Sequence, residues 1–207
     1  EWLRARGIQP AITASTGIAA THIHGMTIHS WSGIGIRESL SAAELDQIAS
    51  KEHVARRIQK TNILIIDEVS MLSANILSMV DQVCREVRRN PELPFGGMQV
   101  VLVGDFFQLP PIVRGGNAPF AFESLAWSEL NPIVCYLTEQ HRQEDPKFLS
   151  ILSAIRSQEA DHTTASAILV RETETAEEHE DVPRLFTHNA DVDRLNDERL
   201  GKLPGRA

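Results

Sequence analysis

The stretch NILIIDEVSML, residues 62–72, constrains the fold more than any other part of the chain. Its apolar positions Ile63–Ile66 are continuous rather than alternating. A short run of that kind suits a strand covered on both faces, as in a parallel sheet. The run leads straight into Asp67 and Glu68. Open α/β sheets bind ligands at the carboxyl ends of their strands, so this acid pair sits where such a sheet does its chemistry. The first carboxylate is placed to hold Mg²⁺ and the second to orient and polarise a water that attacks a γ-phosphate. The same residues also fit an ordinary strand end closed by two acids, and the rest of the chain has to decide.

Length and charge narrow the classes. The 207 residues suffice for one full core, or for one domain and a piece of another. With 42% hydrophobic and 23% charged residues the chain is of the globular class. It has no apolar run long enough to span a membrane, and no signal peptide opens it. Cys84 and Cys135 are too few for a disulfide framework or a zinc site, and both read as small buried hydrophobes in a reducing compartment. The net charge of −8 argues against a non-specific basic binder. It does not exclude a local nucleic-acid track. Residues 161–182 carry seven acids and only Arg171, whereas residues 1–160 carry 17 acids and 14 bases. The chain opens on Glu1-Trp2-Leu3-Arg4, as if within a helix, without an initiating Met. It closes on Pro204-Gly205-Arg206-Ala207, and both ends read as cut from a longer polypeptide.

Around the central stretch, the pattern predicts alternating strands and helices. Gly7 is placed to stop a first helix, and a strand follows over Pro10–Ala14. The next residues, Thr13-Ala14-Ser15-Thr16-Gly17, lead into an Ala-rich helix start. That turn is either an anion site of backbone N–H groups and hydroxyls, or a plain Ser/Thr cap. His22, His24 and His29 match no metal-site spacing, so His29 is assigned to phosphate contact or packing, and Trp31 to the core or a stacked base. A polar helix is expected over Ser41–Lys60, opened by the capping box Ser41/Glu44. A long helix capped by Ser73 runs to about Asn90, with Ile76, Leu77, Val80, Val83, Cys84 and Val87 on its apolar face and Arg85, Arg88 and Arg89 at its end. A loop follows over Pro91–Gly97.

A second buried strand is read over Met98–Val103, ending in Gly104-Asp105-Phe106-Phe107-Gln108-Leu109-Pro110-Pro111. Gln108, held by a rigid turn, is placed to reach a γ-phosphate on the neighbouring strand's site, while the two Phe rings face either a base or the core. A third strand over Ile133–Thr138 leads to Glu139-Gln140-His141-Arg142-Gln143, and an Arg just past a strand end suits phosphate. Further on, a helix is expected over Pro146–Gln158, an acidic loop over 172–181, a strand over Pro183–Thr187 and a helix over Asp191–Leu200.

Taken together, TASTGIAA, TIHSW, LIIDEVSM, GGMQVVLVGDFFQLPP and LTEQHRQ closely resemble the Pif-type, RecD-related DNA helicases of superfamily one. The resemblance runs from about Pro10 to Arg156 and resumes weakly at Arg184–Leu203. It implies an α/β, RecA-like P-loop NTPase core: a first RecA-like domain over 1–145, a small wedge subdomain over 146–182 and the start of a second RecA-like domain over 183–207. It implies ATP and Mg²⁺ as cofactors, with Asp67 on the metal, Glu68 on the hydrolytic water, Gln108 sensing the γ-phosphate and Arg142 as an arginine finger in cis. Asp105 lies in the same motif as Gln108. In such helicases the motifs matching Thr13, Ser15, Thr16 and Gly17, and Thr27, His29 and Ser30, contact single-stranded DNA. Phe106, Phe107 and Pro110 lie where bases approach.

The resemblance further implies 5′-to-3′ translocation on single-stranded DNA, with junctions as substrates and roles in repair, recombination or telomere maintenance. The expected molecule is monomeric or weakly self-associating and intracellular: cytoplasmic if bacterial, nuclear or mitochondrial if eukaryotic. One departure is plain: no GxxxxGK[ST] occurs in the sequence. The expectation is that this stretch alone neither turns over ATP well nor unwinds DNA. The alternatives are a DNA-associated P-loop ATPase of another remodelling class and a catalytically dead nucleic-acid-binding module.

Overall fold

A computed structural model describes residues 2–113, 116–170, 172, 183–203 and 205. Contacts divide the chain into two compact units, Glu1–Thr138 and Glu139–Ala207.

The first unit is built on a parallel sheet. A 3₁₀ turn at Arg4–Arg6 is ended by Gly7 in the left-handed conformation (φ 71°), the stop read from the sequence. Strand β1 is Pro10–Ala14, helix α1 Gly17–His22, strand β2 Met26–Thr27 and helix α2 Ile28–Ser32. The polar stretch expected as one helix is two, α3 Ala42–Ala49 and α4 Glu52–Lys60. Its phase explains the break. Ile48 and Val54 are both buried, yet six residues on one α-helix point them well apart. The interruption at Ser50–Lys51 returns both to one core. The capping box forms as expected, Ser41 Oγ accepting from the Glu44 N–H while Glu44 accepts from the Ser41 N–H.

Strand β3 is Ile63–Asp67, with Leu64 and Ile66 fully buried, Ile63 nearly so and Ile65 half-buried. It pairs in parallel with β1 on one side and with β4, Gln99–Leu102, on the other, and the order is β2-β1-β3-β4. Helix α5, Ala74–Arg88, buries Leu77, Val80, Val83, Cys84 and Val87. Each such side chain contributes about 1.5–3 kcal/mol of burial, so this helix and β3 form the core. A tight turn beyond α5 puts the buried Phe95 at φ 51°. Buried Asp81 holds it there, accepting from the Phe95 N–H at 2.6 Å and from Arg85 Nε at 2.8 Å. Arg85 also pairs with Glu129, and Arg88 donates to the carbonyls of Gly96, Ile58 and Thr61. The basic end of α5 thus ties neighbouring segments together. An antiparallel pair, β5 Ile112–Val113 and β6 Gly116–Asn117, and helix α6, Leu125–Leu130, follow in this unit.

Three strand readings need correction. β4 has half-exposed faces (Val101 is 37% exposed) because it ends the sheet order among the described residues. Residues 131–141 carry no regular structure; Ile133 and Leu137 are more than 90% exposed, and Cys135 is exposed rather than buried. Residues 183–186 form no strand either. A strand exists only within a ladder, and neither segment has a partner among the described residues.

In the second unit Asp145 caps helix α7, Pro146–Arg156, and Asp161 caps helix α8, His162–Leu169; helix α9 is Asn189–Gly201. The signal for α8, Asp161 followed by Thr164, was present in the sequence and unread. All of the acidic loop expected over 172–181 except Glu172 lies outside the described residues.

Candidate active site

Because β1 to β4 run parallel, their carboxyl ends share one edge of the sheet. The first unit's candidate residues lie at those ends or just beyond them. Across the sheet the sequence is Thr27–Ser30 after β2, Ser15–Gly17 after β1, Asp67–Glu68 at β3 and Asp105–Gln108 after β4.

The acid pair is held by its neighbours on both sides. Ala14 is in register with Asp67, and the Ser15 N–H donates to the Asp67 carbonyl at 3.1 Å. On the other side the Val103 N–H donates to the Ile66 carbonyl at 2.9 Å and the Val69 N–H to the Val103 carbonyl at 3.0 Å. Between these clips Glu68 adopts the left-handed conformation (φ 53°, ψ 43°), and its N–H donates to Asp67 Oδ1 at 3.0 Å. That conformation costs a non-glycine residue about 1–2 kcal/mol, and such strain persists where surrounding structure over-determines it. Here the buried Val69, Ser70 and Leu72 anchor the following turn. Gly104 presses against it, because a Cβ at that position would lie 2.9 Å from the Val69 N and 3.2 Å from the Ser70 N. Gly104 was missed in the sequence; a glycine closing a strand was its only signal.

Gln108 sits in a compact turn on the adjacent strand end. Its N–H donates to the Asp105 carbonyl at 3.0 Å and its Nε2 to Asp105 Oδ2 at 3.1 Å, while the Phe107 N–H donates to Asp105 Oδ1 at 3.1 Å. Asp105 therefore positions Gln108. The two Phe rings, whose direction the sequence left open, diverge. Phe106 turns inward onto Phe122 (centroids 4.9 Å), Phe120 and Trp127 in edge-to-face contacts. Phe107 is 71% exposed, and Pro110 is exposed as well.

At the other end of the edge the hydroxyls are unequal. Thr13 is fully buried and spends its hydroxyl on the Ile65 carbonyl at 2.7 Å, which corrects its side chain's place in a surface-facing set. Ser15 is largely buried, its Oγ without a partner among the described residues. Thr16 caps α1, accepting from the Ala19 N–H, and Gly17 is exposed beside it. Thr27 caps α2, accepting from the Ser30 N–H and donating to Ser30 Oγ. Burial pushes the His29 pKa down, which favours the neutral imidazole. Trp31 is core, 2% exposed. Arg57 from α4 braces this turn, its Nη2 donating to the Ser30 carbonyl at 2.9 Å; nothing in the polar pattern of that helix singled it out. Arg142 belongs to the second unit and is exposed.

No group of three or more His, Cys, Asp or Glu side chains forms a metal cluster among the described residues. A lone carboxylate at a strand end still fits Mg²⁺, which keeps several waters and draws other ligands from substrate phosphates.

A parallel sheet flanked by helices, carrying an acid pair beside an amide-bearing turn at its carboxyl edge, defines a RecA-like α/β core. The chain belongs to the PIF1-like helicase family, whose sequence profile matches residues 1–166. It is 46% identical to the ATP-dependent DNA helicase Pif1 of Psychrobacter sp. (strain PRwf-1) over 216 residues, covering 99% of this chain and 32% of that protein. It is 37% identical to ATP-dependent DNA helicase PIF1 of Homo sapiens, covering 94% of this chain and 30% of that protein. Among solved structures, Pif1 helicase from Candida albicans superposes with a TM-score of 0.85 at 35% identity, over 99% of this chain and 47% of that one. Pif1 helicase from Bacteroides, in complex with ADP-AlF3 and ssDNA, gives 0.81 at 30% identity, over 96% and 48%. The chain thus spans about a third or less of the curated relatives it matches and about half of the solved ones.

Proposed function

We propose that this chain is part of an ATP-dependent DNA helicase that moves 5′ to 3′ along single-stranded DNA in repair, recombination or telomere maintenance. One observation carries the reading most: the turn bearing Glu68 and the turn bearing Gln108 are clipped together by the Val69–Val103 hydrogen bond on one sheet edge. The Bacteroides relative solved with a nucleotide analogue and ssDNA supports both ligands for this site.

In this account Asp67 holds Mg²⁺, which when bound offsets charge on the phosphate oxygens. Glu68, fixed by its left-handed backbone, accepts a proton from the attacking water and aligns it. Gln108 swings from Asp105 to the γ-phosphate, so its amide reports whether that group is present. Arg142 stabilises charge on the transferring phosphoryl group. Ser15, Thr16 and Gly17, with Thr27, His29 and Ser30, grip the DNA backbone through N–H and hydroxyl groups, which makes the grip tolerant of sequence. Phe107 and Pro110 meet bases, while Phe106 supports them from the core side. The reading includes a first RecA-like domain over 1–145, a small wedge subdomain over 146–182 and the start of a second RecA-like domain over 183–207.

The test is ATP hydrolysis by the intact protein with and without single-stranded DNA. Strong stimulation by DNA is expected. Equal turnover without DNA overturns the helicase reading in favour of another remodelling ATPase, and no turnover at all favours a binding module. The 207-residue chain by itself, with no GxxxxGK[ST], is expected to show no turnover.

A further inference from the structure

A notch lies at the opposite end of β1. Strand β2 pairs only with Thr13 and Ala14, so Pro10–Ile12 have no strand beside them on that side among the described residues. The notch forms a cavity of about 710 Å³, within the size range of small-molecule sites. Along β1 it is displaced from the Asp67 end by roughly 13 Å, four residues of strand rise.

Its chemistry is one-sided. Arg4, Arg57, Lys60 and His24 line it, from three separate segments, and no carboxylate does so among the described residues, in a chain of net charge −8. Trp31 lines it too. That side chain is 2% exposed, yet its Nε1–H has no acceptor among the described residues, and neither has the buried Nε–H of Arg57. Buried donors are normally paired, because an unmet one costs about 1–3 kcal/mol. Arg57 and Lys60 lie in the last turn of α4, where cations complement the helix dipole. That role does not account for the cavity. The carbonyl of Arg57 is already met by Thr61 Oγ1, and those of Ile58 and Thr61 by Arg88, which lies outside the lining. Arg4 belongs only to the three-residue 3₁₀ turn and His24 lies beyond the cap of α1, so neither sits on α4.

We propose that this cavity binds the phosphate group of a small anionic ligand, with Arg4, Arg57 and Lys60 supplying charge and Trp31 forming part of its wall. Arg57 also holds the Ser30 carbonyl, so an anion here is bonded to the residue that braces the Thr27–Ser30 turn.

Two-dimensional ¹H–¹⁵N spectra of the full 207-residue chain test this through the Trp31 indole resonance, assigned by elimination with Trp2→Phe and Trp127→Phe. Sodium pyrophosphate is titrated against sodium chloride at matched ionic strength. The expected result is a saturable shift with pyrophosphate alone, with the apparent Kd raised roughly three- to tenfold in Lys60→Gln and in Arg4→Gln. Lys60 and Arg4 are exposed, so these variants keep the fold, which the remaining resonances verify. A parallel titration with AMP separates the sources: saturation at lower concentration than pyrophosphate identifies a nucleotide, and at equal or higher concentration a free phosphate. No saturable shift with either, meaning that water alone fills the cavity, overturns the proposal. So does a Kd that neither variant changes.

Discussion

Gly104→Ala is the substitution that most sharply joins geometry to chemistry. The added Cβ would lie 2.9 Å from the Val69 N, 3.0 Å from Val69 Cγ1 and 3.2 Å from the Ser70 N. Ordinary contact begins near 3.4 Å, so one of the two turns has to move by about half an ångström. Two of those neighbours are backbone, which cannot rotate away as a side-chain end would. Overpacking of this kind costs about 1–3 kcal/mol. The displaced turn also carries the Val69–Val103 hydrogen bond, worth about 0.5–1.5 kcal/mol. The sum lowers the melting temperature by about 3–18 °C for a chain of this size, read by circular dichroism on the 207-residue chain. Glu68 precedes Val69, so the carboxylate shifts with it. A shift approaching 1 Å at a reacting centre costs about 100-fold in rate, and the intact protein should lose 10- to 100-fold in DNA-stimulated ATPase. Gly17→Ala is the control: nothing lies within 4 Å of a Cβ there, and the melting temperature should hold. If Gly104→Ala melts and hydrolyses ATP like the wild type, the turn is not set by this contact and the reasoning fails.

Other outcomes follow from the same structure. Asp81→Ala strands the buried Phe95 N–H and part of Arg85, and should cost about 3–5 kcal/mol in denaturant unfolding with the slope unchanged; a loss below about 1 kcal/mol would show that the left-handed Phe95 turn needs no such anchor. Glu44 has its pKa lowered first by the Ser41 backbone N–H, then by the Ser41 hydroxyl and Arg37. Its folded pKa lies below its unfolded one, so its contribution is complete above the ordinary carboxylate range and lost as pH falls through the folded value. The stability gap between wild type and Glu44→Gln should therefore be open at pH 7 and close in acid. A gap independent of pH would remove the carboxylate from the cap.

What the sequence revealed was local. The apolar run before Asp67 marked the central strand, and Ser41/Glu44 and Ser73 marked helix starts, because each signal sits within a few residues of its effect. Partnership was not local. Ile133–Thr138 and Pro183–Thr187 have the composition of strands, but no strand pairs with them among the described residues. In the site, the acid pair and Gln108 were legible as strand-end residues. Gly104, Arg57 and the left-handed backbone of Glu68 were not, since each is defined by what another segment places against it. Thr13 illustrates the converse: its motif fits a surface contact, and its hydroxyl is buried on β3.

The most direct test is Glu68→Gln in the intact protein, followed by ATP binding, single-stranded DNA binding and single-turnover hydrolysis. The amide keeps the shape of the side chain and removes its basicity. Binding of both ligands should stay within about twofold while hydrolysis falls by at least about 100-fold, the scale of general-base loss. Hydrolysis at the wild-type rate would take Glu68, and with it the strand-end site, out of the chemistry.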